Sequence, residues 1–180
     1  GSGLTISGAG TPALAALNST DVALFDSGTD SLGVYRWNGS TWTQLGSGLT
    51  ISGAGTPALA ALNGTDVAFI DSVNDSLRVY RWNGSSWAQV GSAGSISLSG
   101  GIPALAAMNG TDVAFIDSSN ESLRVYRWNG STWTQLGSGL TISGIDYPAL
   151  AALNGTDVAF IDTYIESLRV YRWNGSTWAQ

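Results

Sequence analysis

The prolines of this chain stand at positions 12, 57, 103 and 148, spaced by 45, 46 and 45 residues. The sequence around them repeats as well: residues 1–18, GSGLTISGAGTPALAALN, return unchanged at 46–63. A fixed period constrains a fold more than local propensity does. Each repeat is one supersecondary unit that buries its apolar faces against its neighbours. The 180 residues read as a single domain of four units, 1–45, 46–90, 91–136 and 137–180. Each is close to GSGLTISGxGxPALAALNGTDVAFIDSxNxSLRVYRWNGSTWTQL. Their near-identity points to recent amplification of one unit or to deliberate design.

Within a unit the pattern is one of strands. In the second unit, 57–62 (PALAAL) is a short apolar run, and 66–71 (DVAFID) follows Asn63–Gly64. Asn-Gly is the strongest short hairpin signal, and a type I′ turn with two positive φ angles is expected there. Residues 72–75 (SVND) are turn-formers, and 76–82 (SLRVYRW) is rich in β-branched and aromatic residues. Asn83–Gly84 marks another hairpin before 85–90 (SSWAQV), and a Gly/Ser-rich connection leads onward. PALAAL has helical propensity but is too short for a stable helix.

Four antiparallel strands every ~45 residues make a propeller blade, so an all-β propeller of four-stranded blades is expected. The run PALAALNGTDVAFIDSxNxSLRVYRW resembles the strand–hairpin–strand order of NHL-type β-propeller blades. The VYRWNGSTW segment resembles bacterial FG-GAP-like propeller repeats. The resemblance implies blade architecture and carries no functional residues with it. The Trp-Asp dipeptide and the kelch double glycine are missing, and the sialidase Asp-box is matched only at its G-x-T-W end. A trefoil-like barrel or a β-prism is the alternative, but each is usually built on three units or sheets.

Composition removes most chemistry. The chain has no Cys, no His and, with seven Arg making up its cations, no Lys. Disulfides, thiolate metal sites, imidazole bases, serine or cysteine triads and lysine Schiff bases are all excluded. Thirteen acids against seven Arg give a net charge of −6, which repels phosphate backbones and argues against nucleic acid. No apolar run approaches the ~20 residues of a membrane helix, and the first residues do not read as a secretory signal. Two motif matches are set aside. GAGTPA at 8–13 and 53–58 fits a dinucleotide fingerprint only formally, because Pro and a short strand follow it. The N-x-S/T sequons coincide with Asn-Gly turns.

Pairing the second and third strands across SVND sets Asp66 opposite Arg81. Asp21–Arg36, Asp112–Arg127 and Asp157–Arg172 are the equivalents, expected as structural ion pairs stabilising each ladder by about 0.2–1 kcal/mol. A further arginine (Arg78, Arg124, Arg169) becomes Gly33 in the first unit, so no role needs it in every blade. The carboxylates bracketing the second loop are Asp26/Asp30, Asp71/Asp75, Asp117/Glu121 and Asp162/Glu166. They are read as turn caps; a calcium site, for which the full loop pattern is absent, and a glycosidase pair, which needs a defined separation across a cleft, are the lesser alternatives. The eight Trp fall two to a unit and are read as fillers between blades rather than sugar-stacking platforms.

The units disagree in two places. One is the inter-blade connection: GAGT, GAGT, SGGI, then GIDY at 144–147, with one extra residue in the third, GSAGSISLSGGI. The other is the loop between the second and third strands: SGTD, SVND, SSNE, then TYIE at 163–166. Up-and-down topology brings both to one end of the disc. Ile145, Asp146, Tyr147, Thr163, Tyr164 and Ile165 are therefore the candidate ligand or interface face. A non-catalytic scaffold or binding module is expected, with no cofactor or metal. The alternatives are a lectin-like glycan binder or half of an eight-bladed ring closed by homodimerisation. A ring of four blades closed within one chain is slightly preferred, with Ala13, Ala15 and Ala16 near its axis. If Leu4–Ser7 is an outer strand, it would complete the last blade as a clasp.

Overall fold

A computed structural model describes residues 3–6, 10–96 and 101–180 and shows a four-blade β-propeller. The first blade is β1 (Ala13–Ala16), β2 (Asp21–Asp26), β3 (Ser31–Trp37) and β4 (Trp42–Thr50). The second is β5 (Ala58–Ala61), β6 (Asp66–Asp71), β7 (Ser76–Trp82) and β8 (Trp87–Ser95). The third is β9 (Pro103–Ala107), β10 (Asp112–Asp117), β11 (Ser122–Trp128) and β12 (Trp133–Thr141). The fourth is β13 (Ala149–Ala152), β14 (Asp157–Asp162), β15 (Ser167–Trp173) and β16 (Trp178–Ala179). Each blade is an antiparallel meander in chain order.

Both faces of a blade are apolar, and the blades stack through them. One face of the second blade, with Ala58, Ala60, Ile70, Leu77 and Val79, packs on Leu105, Val113, Phe115, Tyr126 and Trp128 of the third. The first blade packs on the second in the same way, bringing Phe25 edge-on to Phe69 at 5.1 Å. The third packs likewise on Val158, Phe160, Tyr171 and Trp173 of the fourth. A small residue at alternate positions of the inner strand lets the blades converge, while paired Trp rings fill the widening space outside. Trp82 faces Trp87 across the β7–β8 ladder, with ring centroids 5.4 Å apart.

The outer strands of the first three blades run longer than expected. β8 covers nine residues and takes in much of what reads as a Gly/Ser connection. The physical reason is a bulge: Leu77 pairs with Gly94 and Val79 with Val90, so residues 91–93 span Arg78 alone. Gly91 sits at φ +65° inside this bulge and presses its backbone on the next blade, where Ser92 N–H donates to Ser131 O at 2.8 Å.

The Asn-Gly turns also differ from expectation. Neither Asn63 nor Gly64 has positive φ, so the turn is not type I′. The Asn63 side chain builds it instead, its Oδ1 accepting from Thr65 N–H at 2.8 Å and Asp66 N–H at 2.9 Å. Asn18 does the same for Thr20 and Asp21, which explains why Ser19 can stand where the other units have Gly. In the outer hairpins only the glycine is left-handed, as at Gly84, φ +100°.

The four blades leave the ring open. β1 packs on β5, β5 on β9 and β9 on β13, but among the described residues no comparable packing joins β13 to β1. Ala13 and Ala15 are buried toward the second blade, while Ala16 lies exposed on the open side. Residues 3–6 form no strand, so the clasp on the fourth blade is not made within this chain; Ser7 lies outside the described residues. The added residue of the third connection, and Gly8 and Ala9 of GAGTPA, also fall outside them.

Candidate binding face

The inter-blade connections and the β2–β3-type loops meet at one end of the disc, as the topology requires. Thr11 N–H donates to Ser27 Oγ at 2.7 Å, Thr56 N–H to Ser72 Oγ at 2.8 Å, and Ile102 N–H to Ser118 Oγ at 2.8 Å. The first acid of each loop is a turn cap. Asp71 Oδ1 accepts from Val73 and Asn74 N–H, and its Oδ2 from Asn74 Nδ2 at 2.8 Å and Arg78 at 3.0 Å. Asp162 Oδ1 likewise accepts from Tyr164 and Ile165 N–H, which orders the fourth loop from beneath. The second acid is left-handed in every loop, at φ 44–52°. Asp30 and Glu121 also reach the following connection, accepting from Gly53 N–H at 3.1 Å and Gly144 N–H at 2.8 Å. Asp26, Asp71, Asp117 and Asp162 thus cap their own turns, and Asp30 and Glu121 tie their loops to the next connection.

On this frame the fourth unit differs. Tyr147 and Tyr164 are 73% and 76% exposed, and Asp146, Thr163 and Ile165 are exposed beside them. Gly144, at φ +76°, leaves room for Tyr164, whose Cβ would lie 2.6 Å from a side chain there. Ile145 departs from expectation. It is 2% exposed and belongs to the core between the third and fourth blades. It occupies the place of Ala54 in the second unit, also buried, so its substitution mainly fills the core and reaches the surface only at the floor of a cleft. The third and fourth blades enclose a cleft of about 360 Å³ lined by Gly101, Ile102, Ser118, Ser119, Ile145, Asp146 and Tyr147.

The opposite end carries the ion pairs. Arg36 grips Asp21 through two bonds of 2.7 Å, and Arg81–Asp66, Arg127–Asp112 and Arg172–Asp157 repeat this at 2.7–2.8 Å. The aspartates are buried; Arg36, Arg81 and Arg127 lie half-open over their partners, and Arg172 is mostly exposed. The arginine hydrogen bonds hold the Asp21 carboxyl down to about 2 and those of Asp66, Asp112 and Asp157 below the usual range, against the opposing effect of burial. Trp82, Trp87, Trp128, Trp133 and Trp173 are buried between blades, which leaves them unavailable as sugar platforms.

One groove was not legible in the sequence. Leu4 and Ile6 lie along the open face of the first blade and with Pro12, Leu14, Val22, Leu24, Tyr35 and Trp42 bound about 420 Å³. It exists only because the ring is open, which no single repeat reveals.

No family model and no curated protein matches this chain. Among solved structures it is similar to a candidate 6-phosphogluconolactonase from Bacteroides uniformis, at 12% identity and TM-score 0.72, covering 93% of this chain and 52% of that one. It is also similar to the fucose-recognising lectin of Aleuria aurantia, a six-bladed β-propeller, at 15% identity and TM-score 0.62, over 94% of this chain and 60% of the lectin. A periplasmic gluconolactonase from Pseudomonas aeruginosa is similar at 16% identity and TM-score 0.65, with 50% of its length covered. At these identities the likeness is one of fold, and the chain spans about half the length of the lactonases. It defines a β-propeller of repeated blades.

Proposed function

We propose that this propeller is a non-catalytic binding module that takes a small saccharide on its loop face, at the cleft between the third and fourth blades. The observation that carries this is the exposed Tyr147 ring lining that cleft with Asp146, Ser118 and Ser119, with a second exposed ring, Tyr164, on the same loop face against Gly144. A pyranose has an apolar C–H face and a rim of hydroxyls, which suits an amphipathic aromatic next to hydroxyl and carboxylate groups. The lectin among the structural neighbours is a propeller that recognises a sugar, which favours this ligand class. The non-catalytic reading is supported by the first acid of each loop, held as a turn cap, and by the lack of histidine and cysteine.

Screening on a glycan array, followed by calorimetry with the best sugar, tests the proposal. Tyr147→Ala and Tyr164→Ala are expected to weaken binding at least tenfold, ~1.4 kcal/mol each, with unchanged melting temperature. A silent array, or binding indifferent to both changes, would overturn it.

A further inference from the structure

Two faces of this molecule have lost the partner that every equivalent face possesses. On the outward face of the fourth blade Leu168 is 73% exposed, whereas Leu32, Leu77 and Leu123 at the same repeat position are 0–1% exposed. Val170, Ile161 and Leu153 of that face are exposed as well, while Val79, Ile70 and Leu62 are buried against the third blade. On the first blade Leu14 is 62% exposed, against 7% for Leu59 at its counterpart. Trp37 and Trp42 are half-buried where Trp82 and Trp87 are enclosed. These faces are the two halves of the interface that the chain forms three times internally.

Strand edges tell the same story. β16 pairs with β15 only at Arg172–Ala179 and Trp173–Trp178. In the first and third blades the pairing continues to Leu32–Leu49 and Ser31–Thr50, and to Leu123–Leu140 and Ser122–Thr141. The residues that make this continuation in the first blade, GSGLTIS at 46–52, stand also at 1–7. Leu4 and Ile6 already border the same groove as Leu14, Leu24 and Tyr35. That is the place Leu49 and Ile51 take on the second blade, against Leu59, Phe69 and Tyr80.

We infer that two copies of this chain close head to tail into an eight-bladed ring, and that residues 3–6 of each complete the outer strand of the other's fourth blade. Repeat symmetry sets the register. Leu4 pairs with Leu168 and Thr5 with Ser167, and Ile6 N–H donates to Glu166 O as Ile51 N–H does to Asp30 O at 2.7 Å. The contact is heterologous, and two such contacts related by a twofold axis close the ring and leave no open face. The exposed strand edge of β15, otherwise a template for uncontrolled pairing, is covered. The occupant is a second copy because both halves of the interface, and the completing strand, are on this chain.

Absolute mass by light scattering tests the ring, and a cysteine pair tests the strand exchange. The unaltered chain is expected at twice 18.6 kDa, and Leu168→Asp at 18.6 kDa with an unchanged β-sheet circular dichroism spectrum. The chain has no cysteine of its own, so Thr5→Cys combined with Ser167→Cys gives an unambiguous readout. Directly opposed ladder residues lie within disulfide range. A covalent dimer on non-reducing electrophoresis is the expected product. A single-chain mass for the unaltered protein, larger open assemblies, an internally bridged monomer, or a dimer with free thiols would each overturn the inference.

Discussion

Gly91→Ala probes how the outer strand of one blade docks on the next. At that position a Cβ would lie 2.2 Å from Ser131 O and 2.6 Å from the far edge of the Trp128 ring. Ordinary contact begins near 3.4 Å, so the bulge must retreat from a backbone oxygen by about 1.2 Å. The retreat breaks the Ser92 N–H to Ser131 O bond, a loss of about 0.5–1.5 kcal/mol. Alanine at φ +65° costs about 1–2 kcal/mol more. Residual overpacking against Trp128 adds about 1 kcal/mol. Together about 2.5–4.5 kcal/mol is expected, a large share of the ~5–15 kcal/mol that holds a domain together. Gly53→Ala is the control. It has the same handedness, φ +69°, but nothing within 4 Å of its added Cβ, so only the ~1–2 kcal/mol conformational part remains. Urea unfolding of the two variants reads the difference as a midpoint shift at constant slope. Equal losses in both would refute the docking argument and reduce the bulge glycine to a conformational requirement.

The ion pairs make an acid-stability prediction. Their aspartates titrate below the usual range in the folded chain, Asp21 at about 2, so the unfolded chain takes up protons first as pH falls. Their stabilisation is complete above about pH 4 and is lost as pH falls from there toward 2. Melting temperature followed by circular dichroism should hold level down to about pH 4 and drop below it. A profile that keeps its full melting temperature at pH 2 would contradict the assignment. Gly64→Ser should change stability by less than ~0.5 kcal/mol, because Gly64 has ordinary φ and Ser19 already fills the same place. A loss of more than ~1 kcal/mol in thermal or urea unfolding would show that the Asn63 side chain does not carry that turn.

The period of 45–46 residues, the alternation of short strands with Asn-anchored turns, and the apolar content of both strand faces determined the blades on their own. Antiparallel register followed from loop lengths, which is why Asp66 meets Arg81 and its three counterparts do the same. The loop end also followed from counting strands. Three things lay beyond the sequence because each depends on what approaches from another blade. The outer strands run on through a Gly/Ser stretch, since the bulge at Gly91 is held by the neighbouring Ser131. Ile145 sits among substituted loop residues yet turns into the core, because side chains of the third and fourth blades converge on it there. Whether the first and fourth blades meet depends on the wedge angle between stacked sheets, which is set by side-chain packing across each interface. Identical repeats fit rings of several sizes, and in this structure the angle leaves Leu14 and Leu168 facing outward.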